Sequence, residues 1–514
     1  MYRIGESALS IKEISDILQK KTTLSIPPKV LKRVIESHEF LLEYSKDKII
    51  YGINTGLGPM AQFQVNGTNR LALQYNAIRS HSAGMGQPIP EIYIKSAMIC
   101  SLNAYLKGCS GIHPSLVELL SVFISRDIIP VVPEHGGVGA SGDLVQLAHI
   151  GLALISEGEV FYNGKIVPAR EAMEKENIEP LKLHLREGLS LINGTYVMTG
   201  ISIVNLIHAQ NLLNWSIAAS AMLNEIVASF DDYFSTGLNA IKKHEGQSTI
   251  AQHIRAFLNG SKQIRKRSDY FFDRYSSDEY LEDKVQEYYS LRCTPQILGP
   301  VYDTLKNATT VLEAEANSSS DNPVIDMATK NIYHGGNFHG EYVAAEADKM
   351  KAAIVKLTML SERQLNFLLN SKLNDKLPPF VNMGKLGLNF GMQGAQFTAT
   401  STTAENQTLA FPMHLHSISC NNDNQDIVSM GTNAALVCKK VIENSYQVMA
   451  VEFMTLLQAF DILGIQDKIS PASKKVYHNL RQITPAFKED GVRYKELKTL
   501  CHYLFSNEPE IPNY

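Results

Sequence analysis

His135-Gly136-Gly137-Val138-Gly139-Ala140-Ser141-Gly142-Asp143 packs four glycines, one alanine and one serine into a single loop. How it is read decides the fold. Taken as Gly137-x-Gly139-x-x-Gly142, it matches the fingerprint of a dinucleotide-binding βαβ unit, where backbone N–H groups and a helix N-terminus hold a pyrophosphate. Taken as Ala140-Ser141-Gly142, it is a tripeptide able to close on itself. Gly142 has no side chain, so its amide nitrogen can approach the Ala140 carbonyl in a conformation that most residues forbid. Loss of water from that ring and from the Ser141 side chain would leave an electrophilic exocyclic methylene. A third reading is a turn before a helix, with Asp143 as the helix cap.

The flanks weigh against a dinucleotide site. The fingerprint needs a buried parallel strand in front of it, and Pro130 and Pro133 interrupt the only apolar run available. After a predicted helix over residues 144–155, the second strand should end in an acidic residue that holds a ribose. The chain instead places Asn163-Gly164 between two β-rich runs, the signal of a hairpin.

Working outward, residues 11–48 predict two short helices separated by Ile26-Pro27-Pro28, and Tyr51 to Gly58 form a second glycine-rich loop. Helical spacing recurs over residues 69–83, 91–105 and 115–125. Beyond residue 190 the character changes. Residues 201–236, 341–377 and 432–463 contain neither Gly nor Pro, and 301–322 is a shorter stretch of the same kind. Each exceeds the usual helix of three or four turns. Their apolar residues are interleaved with Asn, Gln, Glu and Thr, as in a bundle of long helices with polar seams. The densely charged segment 261–284 reads as an exposed excursion. The expected fold is mainly α: a long-helix bundle over 191–514 and a smaller, mostly helical N-terminal domain over 1–190 that carries the glycine loop. Helices of this length often expose apolar flanks that a symmetric oligomer buries.

Of the 514 residues, 44% are hydrophobic, enough for a sizeable core, and the formal net charge of −4 gives no reason to expect nucleic acid. The six cysteines are scattered without a CxxC pair, so neither a zinc site nor a disulfide framework is suggested. No signal peptide and no run long enough to span a bilayer is visible. A cytoplasmic protein without membrane, metal or nucleic-acid partners is the expectation.

Polar clusters fall in or beside apolar runs, where polarity is costly without a partner. They are Tyr51 with Asn54, Ser80-His81, Asn193-Gly194-Thr195, residues 286–292, Asn337-Phe338-His339, Glu405-Asn406 and residues 421–426. Each alone has an ordinary structural explanation: a core tyrosine, a hydrogen-bonded core histidine, a paired arginine, a solvated loop.

Together with Gly139-Ala-Ser-Gly-Asp-Leu144, Tyr289-Ser-Leu-Arg-Cys293, Gly335-Gly-Asn-Phe-His339 and Gln425-Asp-Ile-Val-Ser-Met-Gly431, they resemble the aromatic amino acid ammonia-lyases and histidine ammonia-lyase over essentially the whole chain. The resemblance implies a 4-methylidene-imidazol-5-one (MIO) formed autocatalytically from Ala140, Ser141 and Gly142, with no external cofactor. The substrate amine would add to its methylene, a case of covalent catalysis by a group made in place. Tyr51 matches the catalytic tyrosine proposed to remove the β-proton, a task in which the site must assist, because a free phenol keeps its proton at neutral pH. Tyr289 is carried over as catalytic, and Arg292 as the fork that holds the substrate carboxylate. Gly58, Asn193, Gln286 and Phe338 match positions that line the electrophile and substrate. Leu57 departs from the Phe usual in the family. The resemblance also implies a homotetramer with sites shared between chains.

The substrate is read from two positions. Ser80-His81 is similar to histidine ammonia-lyases, where phenylalanine and tyrosine enzymes commonly carry Phe-Leu or His-Leu. Gln425 stands where histidine ammonia-lyases usually have Glu, and a neutral amide suits an uncharged arene. A bacterial branch of tyrosine ammonia-lyases shares the Ser-His pair, the 421–426 run and Met392-Gln-Gly394. L-Tyrosine, converted to p-coumarate and ammonia, is therefore the expected substrate. Histidine ammonia-lyase activity and a 2,3-aminomutase of the same family are the alternatives.

Overall fold

The computed structural model describes residues 1–20, 22–67, 69–272, 279–281 and 284–512. The strand in front of the glycine loop, Pro133–His135, pairs antiparallel with Met85–Pro88. Ile129–Pro130 pairs antiparallel with Glu159–Tyr162, which in turn pairs with Lys165–Pro168, Val160 facing Val167. The hairpin between the last two turns at Asn163 and Gly164, both with positive φ (50° and 73°), as a two-residue turn of this kind requires. No parallel strand brackets the loop, and the dinucleotide reading falls with it.

The fold is mainly helical, and the four long Gly- and Pro-poor stretches are helices: Tyr196–Val227, Thr294–Ala316, Glu341–Leu369 and Gly431–Leu463. Their ends differ from the sequence limits for local reasons. The first begins before residue 201 because Gly200 lies inside it; a Cβ there would stand 2.3 Å from the backbone nitrogen of Ala97. It stops at Val227 because Ala228 turns left-handed (φ 54°) and Ser229 N–H closes back on the Asn224 carbonyl at 3.0 Å. The second holds Pro300 within it, where sequence alone starts a helix after the proline.

Two compact units divide the chain, and neither is a sequence half. The first comprises Met1–Ile207, Ala308–Asp348 and Pro412–Lys439; the second comprises His208–Asn307, Lys349–Phe411 and Lys440–Tyr514. A boundary near residue 190 coincides with neither, because each long helix contributes residues to both units.

In the first unit, the helix Glu91–Tyr105 is buried from Tyr93 to Tyr105, beside Pro114–Ser125. A separate cluster of Leu41, Ile50, Ile53, Ile325 and Ile332 packs the tyrosine loop against the hairpin Val324–Asp326 and Asn331–Tyr333. The second unit carries the polar seams. Gln364 donates to Ser220 at 2.9 Å, and the Thr358 and Ser445 hydroxyls lie 2.6 Å apart with Asn406 on the same serine at 3.1 Å. Glu452, fully buried against Ser361, is pushed up to about 8 by burial. Such satisfied polar pairs fix which helix faces meet.

Of segment 261–284, Phe272 and Tyr280 are exposed, while residues 273–278, 282 and 283 lie outside the described residues. The six cysteines are free. Among the described residues, no helix is long and apolar enough to cross a membrane.

Candidate active site

The glycine loop is held by backbone from three other segments. Asp143 N–H donates to the Gly194 carbonyl (2.8 Å), Gly340 N–H to the Gly139 carbonyl (3.0 Å), and Met430 N–H to the Val138 carbonyl (2.9 Å). The approach is so close that a Cβ on Gly142 (φ 71°) would lie 1.8 Å from the Gly194 oxygen. Only glycine fits there.

Asp143 does not cap the helix that follows the loop. That helix, Val145–Leu154, has Leu144 at its N-cap and no side-chain cap bond. The Asp143 carboxylate accepts instead from Val197 N–H (2.6 Å), Met198 N–H (3.1 Å) and the Thr432 hydroxyl (2.7 Å). It is therefore the N-terminal anion of the helix Tyr196–Val227, placed where the helix dipole and unpaired N–H groups favour negative charge. The side chain is fully buried, and burial pushes it up to about 7 against the pull of the three donors.

Around the loop lies a cavity of about 290 Å³ lined by Ser141, Tyr51, Gly58, His81, Asn193, Phe338 and Gln425, all expected from sequence. Ala140 and Gly142 flank Ser141 within the loop. The Ser141 hydroxyl accepts from Gln425 Nε2 at 3.1 Å. Gln425 is oriented from behind: its Oε1 accepts from Cys420 Sγ at 3.5 Å, and the two residues exchange backbone bonds of 3.1 and 3.3 Å. The turn between them runs through three consecutive left-handed residues, Asn421, Asn422 and Asp423 (φ 53°, 55° and 59°).

The Tyr51 hydroxyl accepts from Gly58 N–H at 2.8 Å, which fixes the position of the phenolic oxygen. Asn193 turns its amide to Asp321 (3.3 Å) and the Asn322 carbonyl (3.4 Å); Asp321 is paired with the fully buried Arg186 at 3.1 Å. His81 has its Nδ1 2.7 Å from the Ala77 carbonyl. A carbonyl only accepts, so Nδ1 carries a proton and Nε2 is the ring nitrogen left to face other partners. Ser80 is exposed beside it, its hydroxyl 3.1 Å from His81 Nδ1, and is not part of the cavity lining.

Gln286, Tyr289 and Arg292 line a different cavity, of about 550 Å³, in the second unit, together with Lys284, Glu287 and Arg363. The Arg292 guanidinium lies 4.8 Å from the Tyr289 ring centroid, and its buried Nε has no hydrogen-bond partner among the described residues. A planar fork with an unfilled donor suits a carboxylate. The chain thus carries a glycine-loop cavity in one unit and a cationic cavity in the other.

Sequence reading missed Asn322, Leu189 and Ile192, which also line the first cavity. Asn322 had a signal: the polar run of residues 318–322 that ends a long helix just before Pro323. The two apolar residues had none, because Leu and Ile in a short helix read as core.

An aromatic amino acid lyase family profile matches residues 9–482. The chain belongs to that family. It is 37% identical to a tyrosine 2,3-aminomutase of Chondromyces crocatus (98% of this chain, 96% of that protein) and 36% identical to a histidine ammonia-lyase of Bacillus cytotoxicus (98% and 97%). Among solved structures, the tyrosine aminomutase from Streptomyces globisporus superposes with a TM-score of 0.94 at 34% identity, covering 98% of this chain and 97% of that one. This aromatic amino acid lyase family member therefore shares its whole helical fold with both lyases and aminomutases.

Asp143→Ala is expected to destabilise the protein, since each buried donor left without its acceptor costs about 1–3 kcal/mol. Denaturant unfolding of the variant beside the wild type checks this, and Asp143→Glu should not restore stability in a pocket sized for the shorter acid.

Proposed function

We propose that this protein deaminates an aromatic L-amino acid, with L-tyrosine giving p-coumarate and ammonia, through an MIO group made from Ala140, Ser141 and Gly142. The observation that carries the reading is Gly142: its position against Gly194 excludes any side chain, while Ser141 opens into a cavity beside Tyr51. Attack of the Gly142 nitrogen on the Ala140 carbonyl, with loss of two waters in all, fits a loop clamped on both sides. When present, the group supplies an electrophile that takes up the substrate amine and turns it into a leaving group. The remaining work falls to the side chains. Tyr51 removes the β-proton, its hydroxyl held in place by Gly58 N–H. Arg292 holds the carboxylate, with Gln286 and Tyr289 beside it, and Asn193 and Phe338 border the reacting end.

Tyrosine is favoured by the far end of the cavity. A tyrosine phenol can donate or accept, and His81 on the cavity wall offers it a ring nitrogen as partner. Gln425 is an uncharged amide, so a histidine imidazolium would be buried without a charge partner. The curated relatives include both histidine ammonia-lyases and a tyrosine 2,3-aminomutase. A mutase would release β-tyrosine as well, so product analysis separates it from a lyase.

We further propose a homotetramer in which the cationic half-site of one chain completes the glycine-loop half-site of another. Support comes from the separate cavities and from large apolar side chains left exposed on the chain: Phe390, Phe397, Phe411, Leu415, Ile418 and Ile427, each above 60%. Such residues mark surfaces that a partner covers.

Intact-mass spectrometry should find the folded protein lighter than the encoded chain by two waters; the full encoded mass would refute the internal electrophile. Ser141→Ala should keep the fold and lose ammonia release. In assays of purified enzyme, kcat/KM should be highest for tyrosine, lower for phenylalanine and lowest for histidine, with tyrosine ahead of histidine by about tenfold or more, since a site built around polar pairing rejects what leaves it unpaired. His81→Leu should narrow the gap between tyrosine and phenylalanine. Mixing inactive Tyr51→Phe and Arg292→Ala protomers, followed by subunit exchange, should restore part of the activity; if the mixture stays inactive while mixed tetramers form, the shared site is refuted.

A further inference from the structure

His334 belongs to none of the site residues above, yet it touches the loop that carries Tyr51. The hairpin Val324–Asp326 and Asn331–Tyr333 turns Ile325 and Ile332 into the cluster that also buries Ile50 and Ile53, the residues on either side of Tyr51. Side chains alternate along an extended strand. Ile332 is 8% exposed and Tyr333 49%, and His334, exposed just past the strand, lies within reach of the tyrosine loop. There the Tyr51 backbone N–H donates to His334 Nε2 at 3.4 Å. The neighbouring Gly335 N–H holds the cavity residue Asn322 at 2.9 Å.

We propose that His334 is a positioning residue for Tyr51, holding its backbone only while the imidazole is neutral. The inference rests on the reading of Tyr51 as the group that removes the β-proton. Nε2 can accept only if it carries no proton; protonation would turn it into a donor facing another donor. The charged side chain that bears on the ring is the buried Arg186, at the start of the helix Glu187–Ile192, while the loop meets it with the Tyr51 backbone. Burial and then the Arg186 charge hold the imidazole below the ordinary histidine range, so it stays neutral at neutral pH. As pH falls through that lowered value, the ring takes up a proton, the contact is lost, and Tyr51 is no longer aimed at the substrate. The hydrophobic cluster beneath keeps the loop folded. The effect should therefore fall on turnover more than on binding.

The test compares wild type, His334→Leu and His334→Gln, using tyrosine turnover and amide hydrogen exchange of peptides spanning residue 51. Leu removes the acceptor. Gln restores an oxygen at about the Nε2 position and does not titrate. The expected result for the Leu variant is a kcat about tenfold lower with KM within about twofold, a small misplacement being enough for this, together with faster exchange at Tyr51. Gln should recover both, and the acid limb of its pH–kcat profile should lose the ionisation seen in wild type. Unchanged kcat and unchanged protection in the Leu variant would overturn the proposal, as would an identical acid limb in the Gln variant. Should wild-type protein turn over no aromatic amino acid, the reading of Tyr51 fails by itself. Amide protection then still decides the contact: its loss in the Leu variant upholds the role of His334, and its retention overturns it.

Discussion

The buried carboxylate of Asp143 is the interaction on which the site depends. One short side chain satisfies two N–H groups of the helix Tyr196–Val227 and a hydroxyl of the helix Gly431–Leu463, while its own backbone N–H binds Gly194. A loop of glycines has many conformations to lose on folding. Here the loop is tied to two of the longest helices, so their rigidity is lent to it. The helix termini, in turn, receive the anion they would otherwise lack. Asp143 remains costly to bury, which is why its proton affinity is raised even among three donors.

Around that anchor the chemistry separates by type. The cavity in the first unit is densely hydrogen-bonded and lined by amides, a phenol and an imidazole. The cavity in the second unit is charged and carries Arg292, Lys284, Glu287 and Arg363.

Much of this was legible in the sequence, and the reasons differ by feature. Four long helices could be read because Gly and Pro are absent for many turns, a signal that needs no tertiary knowledge. The Asn163-Gly164 hairpin could be read because the turn demands positive φ at both residues. Where helices begin and end was less legible. Gly200 and Pro300 look like breakers, yet Gly200 is required by Ala97 and the helix Thr294–Ala316 continues through Pro300. Asp143 reads locally as the cap of the next helix, and its true partners lie more than fifty positions away. The division into units was invisible for the same reason: compactness depends on contacts between segments far apart in sequence. Within the site, motif residues such as Tyr51, Ser141 and Gln425 were found, whereas Leu189 and Ile192 line the cavity with side chains indistinguishable from core.

The turn that presents Gln425 has a consequence for how this fold diversifies. Three successive residues in the left-handed region are tolerated there because they are Asn, Asn and Asp, whose short polar side chains suit that conformation. The frame is thus set by backbone geometry and by the pairing of Cys420 with Gln425 through main-chain atoms, which does not depend on what residue 425 is. The side chain at position 425, which borders the cavity, is an exchangeable tip on a fixed mount. A lineage could retune its substrate by altering that one residue without rebuilding the loop, whereas a β-branched residue at any of the three turn positions would tilt the mount and misdirect every possible tip.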